Sequence, residues 1–372
     1  MFTHLHTHTE YSLLDGMSKM APLMDRVKAL GQEAVAMTDH GALYGAIDFY
    51  REATSRGIKP IIGLEAYVAP GSRLTRERGD SSPYHLVMLA RNMTGYKNLI
   101  ALTTKANLEG FYYKPRIDRE LIEKHSEGIT VLSGCPSAEF HRRIQEGDRE
   151  GAMTVAKYYR EVFDGHYYLE VQDHGDEKFT RLNPMIADIG REMGIKVVAT
   201  NDSHFTMPDE AEAHDVLLCI GTNATVDQSG RYKFDGQGYW VKGEDEMHSL
   251  FPENPEFMSN TMLVANECDL DLHFDRQLLP EPPVPAGQRS EDYLAEICFR
   301  GLHERFEEIT PELQQRLTYE LDVLKQTGFT DYMFVVKEIA DFARRAGIKM
   351  GVRGSAAASL VLYVLKVTDI DP

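Results

Sequence analysis

Apolar positions along this chain follow two rhythms that take turns. Met20, Leu23, Met24, Val27 and Leu30 recur at helical spacing and Gly31 follows them, which predicts an amphipathic helix with a glycine stop. The short run 34–38 then predicts a buried strand running into Asp39-His40-Gly41. A helical stretch at 43–56 and an apolar run at 61–68 repeat the pair. Residues 85–90, 129–133, 167–171 and 196–200 read as further strands with helical segments between them. With the opening residues as a strand, about seven strands alternate with helices, the pattern of a parallel α/β sheet or a closed α/β barrel. The interval 110–118 reads as a loop, too aromatic and too basic to be only a spacer, and 238–242 reads as a strand.

Four prolines within 279–287 can continue neither a helix nor a central strand, so they mark a stiff linker. The predicted organisation is a domain over 1–272, a linker at 273–288 and a second domain over 289–372. The second domain is helical at 293–306, 313–327 and 332–345. A small-residue turn within 351–363 opens a last helix, with Arg353, Gly354 and Ser355 at its start.

The polar residues change the picture. His4, His6 and His8 alternate, and Asp15 precedes a glycine. Side chains two apart on a strand share a face, so His6 and His8 can reach one metal ion, with His4 one step back along the row. In α/β barrels the active site gathers at the C-terminal strand ends. His6, His8, Asp39, His40, Glu65, Cys135, Asp202 and His204 all fall at or just past the ends of separate predicted strands; His85 falls at a strand start and breaks the pattern. Each residue alone has an ordinary reading. Together, His6, His8, Asp15, His40, Glu65, His85, Cys135, Asp202 and His204 are too many ligands for one ion and enough for two or three, of zinc, manganese or iron. Such clusters suit phosphoester hydrolysis. His125, His141, His166 and His174 read as surface or loop residues without a role.

Composition adds limits. A formal charge of −18 argues against a broad nucleic-acid-binding surface and leaves room for a local basic cleft. Cys135, Cys219, Cys268 and Cys298 lie far apart, so no disulfide framework is expected. The N-terminus shows neither a basic nor an apolar leader region, and a cytoplasmic protein with no membrane partner is expected.

The motifs themselves resemble a known family. His6-x-His8, Asp39-His40-Gly41, Gly63-Leu64-Glu65, His85, Gly134-Cys135 and Asp202-x-His204 are similar to the successive motifs of the PHP (polymerase and histidinol phosphatase) superfamily. The opening His-Leu-His-Thr-His-Thr-Glu-Tyr-Ser-Leu-Leu-Asp-Gly, the stretch 110–118 and the terminal Arg-Gly-Ser-Ala-Ala-Ala-Ser-Leu-Val with Thr-Asp-Ile-Asp-Pro resemble the bacterial DNA polymerase III alpha subunits. The resemblance implies a distorted (β/α)7 PHP barrel followed by the mostly helical start of a polymerase palm. It implies that the nine residues hold metals and act as a 3′–5′ exonuclease, and that Arg353, Gly354 and Ser355 contact a nucleoside triphosphate. Val352 and Ala358 stand where the family pattern has glycines. For the whole subunit the resemblance implies DNA polymerisation with magnesium, primer-template DNA, deoxynucleoside triphosphates, a sliding clamp and other replicase subunits. The polymerase carboxylates are expected beyond this stretch, so Asp369 and Asp371 are not assigned to them. Two rival expectations are a small-molecule phosphatase of the histidinol-phosphate kind and a non-catalytic metal-braced scaffold.

Overall fold

The computed structural model describes residues 1–372 apart from 79–81, 235 and 275–278. The chain divides into two compact units, Met1–Leu272 and His273–Pro372. Part of the expected linker, 275–278, lies outside the described residues, and 279–287 form neither helix nor strand.

The first unit is built on β1 (Ala34–Met37), β2 (Lys59–Val68), β3 (Tyr84–Ala90), β4 (Phe111–Tyr112), β5 (Lys114–Ile117), β6 (Ile129–Leu132), β7 (Tyr167–Val171) and β8 (Val197–Ala199). Hydrogen bonding runs β1-β2-β3-β6-β7-β8, parallel except at β3, which lies antiparallel to both neighbours. The N-terminal segment closes the ring. Its His4 bridges Val35 of β1, its Thr7 bridges Ser203 beyond β8, and His8 N–H donates to the Ser203 carbonyl at 2.7 Å. Closure rests on single bridges rather than a continuous ladder, which distorts the barrel.

Strand alternation separates two cores. Leu5, Ala36, Ile61, Val87, Leu132, Tyr168 and Val198 join inside the ring, with Val264 and Ala265 of the helix Glu256–Glu267, and Cys268 just past it, closing one end. Val35, Met37, Ile62, Met88 and Leu169 face outward onto Leu23, Met24, Phe49, Leu99 and Leu102 of the surrounding helices. The reversal of β3 explains the awkward place of His85. Its start pairs with the far end of β2, His85 opposite Tyr67, so a strand beginning arrives where the other strands finish.

Three sequence expectations change here. The interval 110–118 is not a loop: β4 and β5 form a tight hairpin whose β5 pairs parallel with the end of β2, Arg116 opposite Tyr67. Residues 238–242 form no strand and only Trp240 bridges Phe205, because side chains take the carbonyls a ladder would use. Asn201 donates to Gly238 and Trp240, and Gln32 donates to Lys242. Third, His4 does not continue the row of His6 and His8. A bend at His6 breaks the alternation, so His4 faces outward against Phe2 and donates to the Lys242 carbonyl.

The hairpin is pinned by Arg116, fully buried, which donates to the carbonyls of Gly110, Arg73 and Thr75 at 2.7–3.0 Å. Arg116→Ala strands those acceptors and is expected to cost about 3 kcal/mol. Urea unfolding followed through the single tryptophan, Trp240, reads this; a loss below about 1 kcal/mol would mean that water replaces the guanidinium.

The second unit packs helices Ser290–Arg305, Pro311–Thr327 and Thr330–Arg345 against the short helix Leu360–Val364, around Leu294, Cys298, Leu302, Leu317, Phe334 and Val361. The expected helix start at Arg353-Gly354-Ser355 lies elsewhere. Gly354–Ala358 is a 3-10 turn, and the α-helix begins at Leu360. The amides at that start are already occupied: the Glu320 carboxylate accepts from Leu360 N–H at 3.0 Å and Val361 N–H at 3.1 Å. Arg353, Gly354 and Ser355 are exposed upstream of it. Asp369 bridges Arg305 and Arg344 at 3.0 and 2.9 Å, a tie between helices. Among the described residues no helix is long and apolar enough to cross a membrane.

Candidate metal centre

All nine sequence candidates meet at one mouth of the barrel. Glu65, at 1% exposure, stands in the middle. Its carboxylate lies 2.7 Å from His40 Nδ1, 2.8 Å from His85 Nδ1, 3.4 Å from Cys135 Sγ, 3.5 Å from His6 Nε2 and 3.7 Å from His8 Nε2. Asp202 Oδ1 approaches the same two imidazoles, at 3.2 Å from His6 Nε2 and 3.1 Å from His8 Nε2. Asp15 reaches His40 Nε2 at 3.1 Å, and the His204 ring stacks on His8 at 4.2 Å. Three sets, His8-His40-His204, His6-His8-Asp202 and His40-Glu65-His85, each bring their donor atoms within 4.8 Å of one another. Asp202 holds φ at 43°, a left-handed backbone unusual for a residue with a side chain.

Supporting contacts turn these rings. His6 Nδ1–H donates to Glu170 at 2.7 Å, which leaves Nε2 facing the centre. His8 Nδ1–H donates to Ser12 Oγ at 2.9 Å, and Ser12 in turn donates to Asp39 at 2.9 Å. Asp39 also accepts from Thr9 N–H and Oγ–H, so its place is behind the centre, organising the loop. Such outer contacts fix tautomer and orientation in metal sites.

The donor chemistry can be tested on this structure. His6 Nε2, His8 Nε2, Asp15 Oδ1, His40 Nδ1, Glu65 Oε2 and Asp202 Oδ1 are buried without a hydrogen-bond partner. Buried polar atoms seldom stay unsatisfied, and these face one another, as divalent cations would require. Electrostatics agree. Burial presses the His8 pKa down to about 3, so its imidazole is neutral and ligand-ready. Burial opposes charge on His6 and His40, yet Asp202 and Glu170 around one, and Asp15 and Glu65 around the other, hold both pKa values well above the usual range. Protons there stand in the place that cations would take.

The centre opens into a cavity of about 410 Å³. Lys114, Lys178 and Lys233, from three separate segments, line it together with Tyr67, His174, Tyr232 and Phe234. In a chain of net charge −18, that is a local basic rim suited to an anionic substrate. A larger cavity of about 550 Å³ lies in the second unit, lined by Tyr293, Phe334, Lys337 and Asp341, and holds none of the nine candidates.

Some residues escaped the sequence reading. His141 and His174 are buried, not surface residues: His141 donates to the Glu170 carbonyl at 3.1 Å, and His174 stacks on Tyr239 at 3.9 Å at the cavity wall. Glu170, fully buried, also accepts from Gly134 N–H at 3.0 Å. Its signal was present as the lone carboxylate in the apolar run of β7. Of the lysine rim only Lys114 left one, in the basic and aromatic interval 110–118; Lys178 and Lys233 are far from it in sequence.

Comparison with known proteins fits this geometry. The PHP domain family model matches residues 4–174, and the model for the bacterial DNA polymerase III alpha NTPase domain matches residues 292–372. The whole chain aligns with DNA polymerase III subunit alpha of Treponema pallidum at 40% identity, covering 32% of that protein. It aligns likewise with those of Mycobacterium tuberculosis, at 42% and 33%, and Thermus aquaticus, at 37% and 36%. The chain therefore spans about a third of the length of these curated relatives. Among solved structures, an amidohydrolase from Chromobacterium violaceum is similar over 55% of this chain and 88% of its own, at 14% identity and a TM-score of 0.34. That likeness is too loose to add to the assignment. Matched along its full length to their N-terminal part, with a PHP barrel first and a helical unit after it, the chain belongs to the family of DNA polymerase III alpha subunits.

Proposed function

We propose that this centre binds two to three divalent ions, of zinc, manganese or iron, and hydrolyses phosphodiester bonds, releasing nucleotides from the 3′ end of DNA. His6, His8, Asp15, His40, Glu65, His85, Cys135, Asp202 and His204 are the ligands in this reading. The observation that carries it is the set of buried, unpartnered donor atoms turned toward one another. Ions bound there supply Lewis-acid polarisation of a phosphoryl oxygen and lower the pKa of water toward about 7. The chain's own residues do the rest. Glu170 and Ser12 keep Nε2 of His6 and His8 directed inward. Lys114, Lys178 and Lys233 meet the phosphate oxygens at the rim. Burial, and then Glu65, keep the Tyr67 hydroxyl protonated, so it can donate to a substrate oxygen.

In the same reading, residues 1–272 are the PHP domain, 273–288 a linker and 289–372 the beginning of the polymerase palm. The whole protein extends a primer on template DNA with deoxynucleoside triphosphates and magnesium, in the cytoplasm, beside a sliding clamp and other replicase subunits. Arg353, Gly354 and Ser355 meet the triphosphate there through guanidinium and backbone amides, without a helix N-terminus behind them.

The test is turnover by the manganese-loaded chain on a labelled single strand and on a phosphate monoester, each repeated with chelator. Chelator-sensitive release from the strand, exceeding monoester turnover, is expected. Faster monoester turnover would favour a small-molecule phosphatase. No turnover, with a melting temperature that falls on chelation, would favour a scaffold.

A further inference from the structure

The hairpin of β4 and β5 contributes no donor to the metal centre, yet it stands at its mouth. Phe111 pairs with Pro115 and Tyr112 with Lys114, which leaves Tyr113 alone at the tip. Tyr113 has φ at 58°, a left-handed backbone that glycine or asparagine fills readily and an aromatic residue does not. The fold gains little in return. The residue is 72% exposed, and its ring meets only the edge of Tyr112, at 4.7 Å, among the ring contacts of the described residues.

The tip is nonetheless stiffly held. Arg116 pins the hairpin from below, and Pro115 sits so close to Gly41, next to His40, that a Cβ there would come within 2.9 Å of the proline ring. Lys114 lines the metal cavity. An exposed aromatic thus directly precedes a lysine on the cavity wall. The same pair recurs at Tyr232, 55% exposed, and Lys233, both of which line the cavity from a different segment. A cation for the backbone beside a ring for the base is the arrangement that holds single-stranded nucleic acid without sequence preference.

We propose that this hairpin grips single-stranded nucleic acid at the metal centre, with Lys114 on a phosphate and Tyr113 stacked on the adjoining base. The proposal rests on the phosphodiesterase reading above and names the substrate contact that reading leaves open. It also accounts for a tyrosine kept where the backbone prefers glycine.

The test is fluorescence anisotropy of the full chain with labelled oligothymidylate whose 3′-terminal linkages are phosphorothioates, so that binding is read without cleavage. A second strand carries an abasic penultimate position. Tyr113→Gly is expected to bind the normal strand about tenfold more weakly than the natural chain, the scale of one lost stacking contact. The abasic strand is expected to bind both proteins alike, and Tyr113→Trp to restore the difference. Because glycine suits the backbone, Tyr113→Gly is expected to melt no lower than the natural chain, which separates weaker binding from unfolding. Equal binding of the normal strand by the natural chain and Tyr113→Gly would overturn the proposal, as would an equal loss on both strands. So would failure of the natural chain to bind either strand, which would leave the exposed rings to a protein partner. Absence of nucleotide release would refute the phosphodiesterase reading and leave this binding measurement standing.

Discussion

Glu65→Gln is expected to cut nucleotide release by roughly a thousandfold, the scale lost when one group is taken from a preorganised electrostatic site. Among the described residues no other side chain touches as many of the candidate ligands: His6, His8, His40, His85 and Cys135 all lie within 3.7 Å of its carboxylate. Glutamine keeps the shape and removes the charge. It also turns an N–H donor toward nitrogens or ions that need an acceptor, in a pocket where Glu65 is 1% exposed and water cannot compensate. The loss should appear first in metal content, measured by atomic absorption on the purified variant, and then in rate. Full metal content with full activity would remove Glu65 from the centre.

The metal-free chain is expected to be most stable near pH 6.5 and to weaken on both sides, and bound metal should remove the alkaline weakening. The acid side follows from histidines that burial keeps neutral. His4 and His141 are pressed down to about 4, and His8 and His174 to about 3, against 6.5 for the free side chain. Below 6.5 the unfolded chain binds protons that the folded chain refuses, so stability falls as pH falls, by up to about 1.4 kcal/mol per pH unit for each group. Asp15, Glu65 and Asp202 add to this at lower pH, where burial that resists their charge is outweighed by the histidines around them. The alkaline side has the opposite sign. His6 and His40 are raised, so above 6.5 the folded chain keeps protons the unfolded chain has released, and their contribution is lost as pH rises through their folded values. Metal ions replace those protons, and their binding strengthens with pH because the ligands must be deprotonated. Melting temperatures from about pH 5 to 9, in chelator and in manganese, measure both limbs. A chelated chain that is most stable at the alkaline end would contradict this account.

Much of the site could be read along the chain because barrels place function at strand ends, and strand ends are visible where an apolar run stops. His40 was legible in this way, from the run that became β1; Glu65 stands inside β2, three residues before its end, and was marked instead as the lone carboxylate of an apolar run. His85 was not, since no local pattern tells a strand which way it will run. Only the pairing of Tyr67 with His85 shows that β3 is reversed. The interval 110–118 failed as a loop for a similar reason. A hairpin turning on a single tyrosine has no turn residue to announce it, and the force that holds it, Arg116 on three distant carbonyls, is tertiary.

Periodicity and residue type determined most of the helices and central strands, and pointed to a break at the proline run and to a set of metal-competent side chains, because these depend on neighbours a few positions away. Tertiary structure decided which way each ring faces, that His4 turns outward while Glu170 turns His6 inward, and that three scattered lysines share one rim. It also decided that Glu320, rather than a ligand, caps the last helix. Those outcomes depend on contacts between residues far apart in the chain, and on the burial that makes each unpartnered polar atom costly.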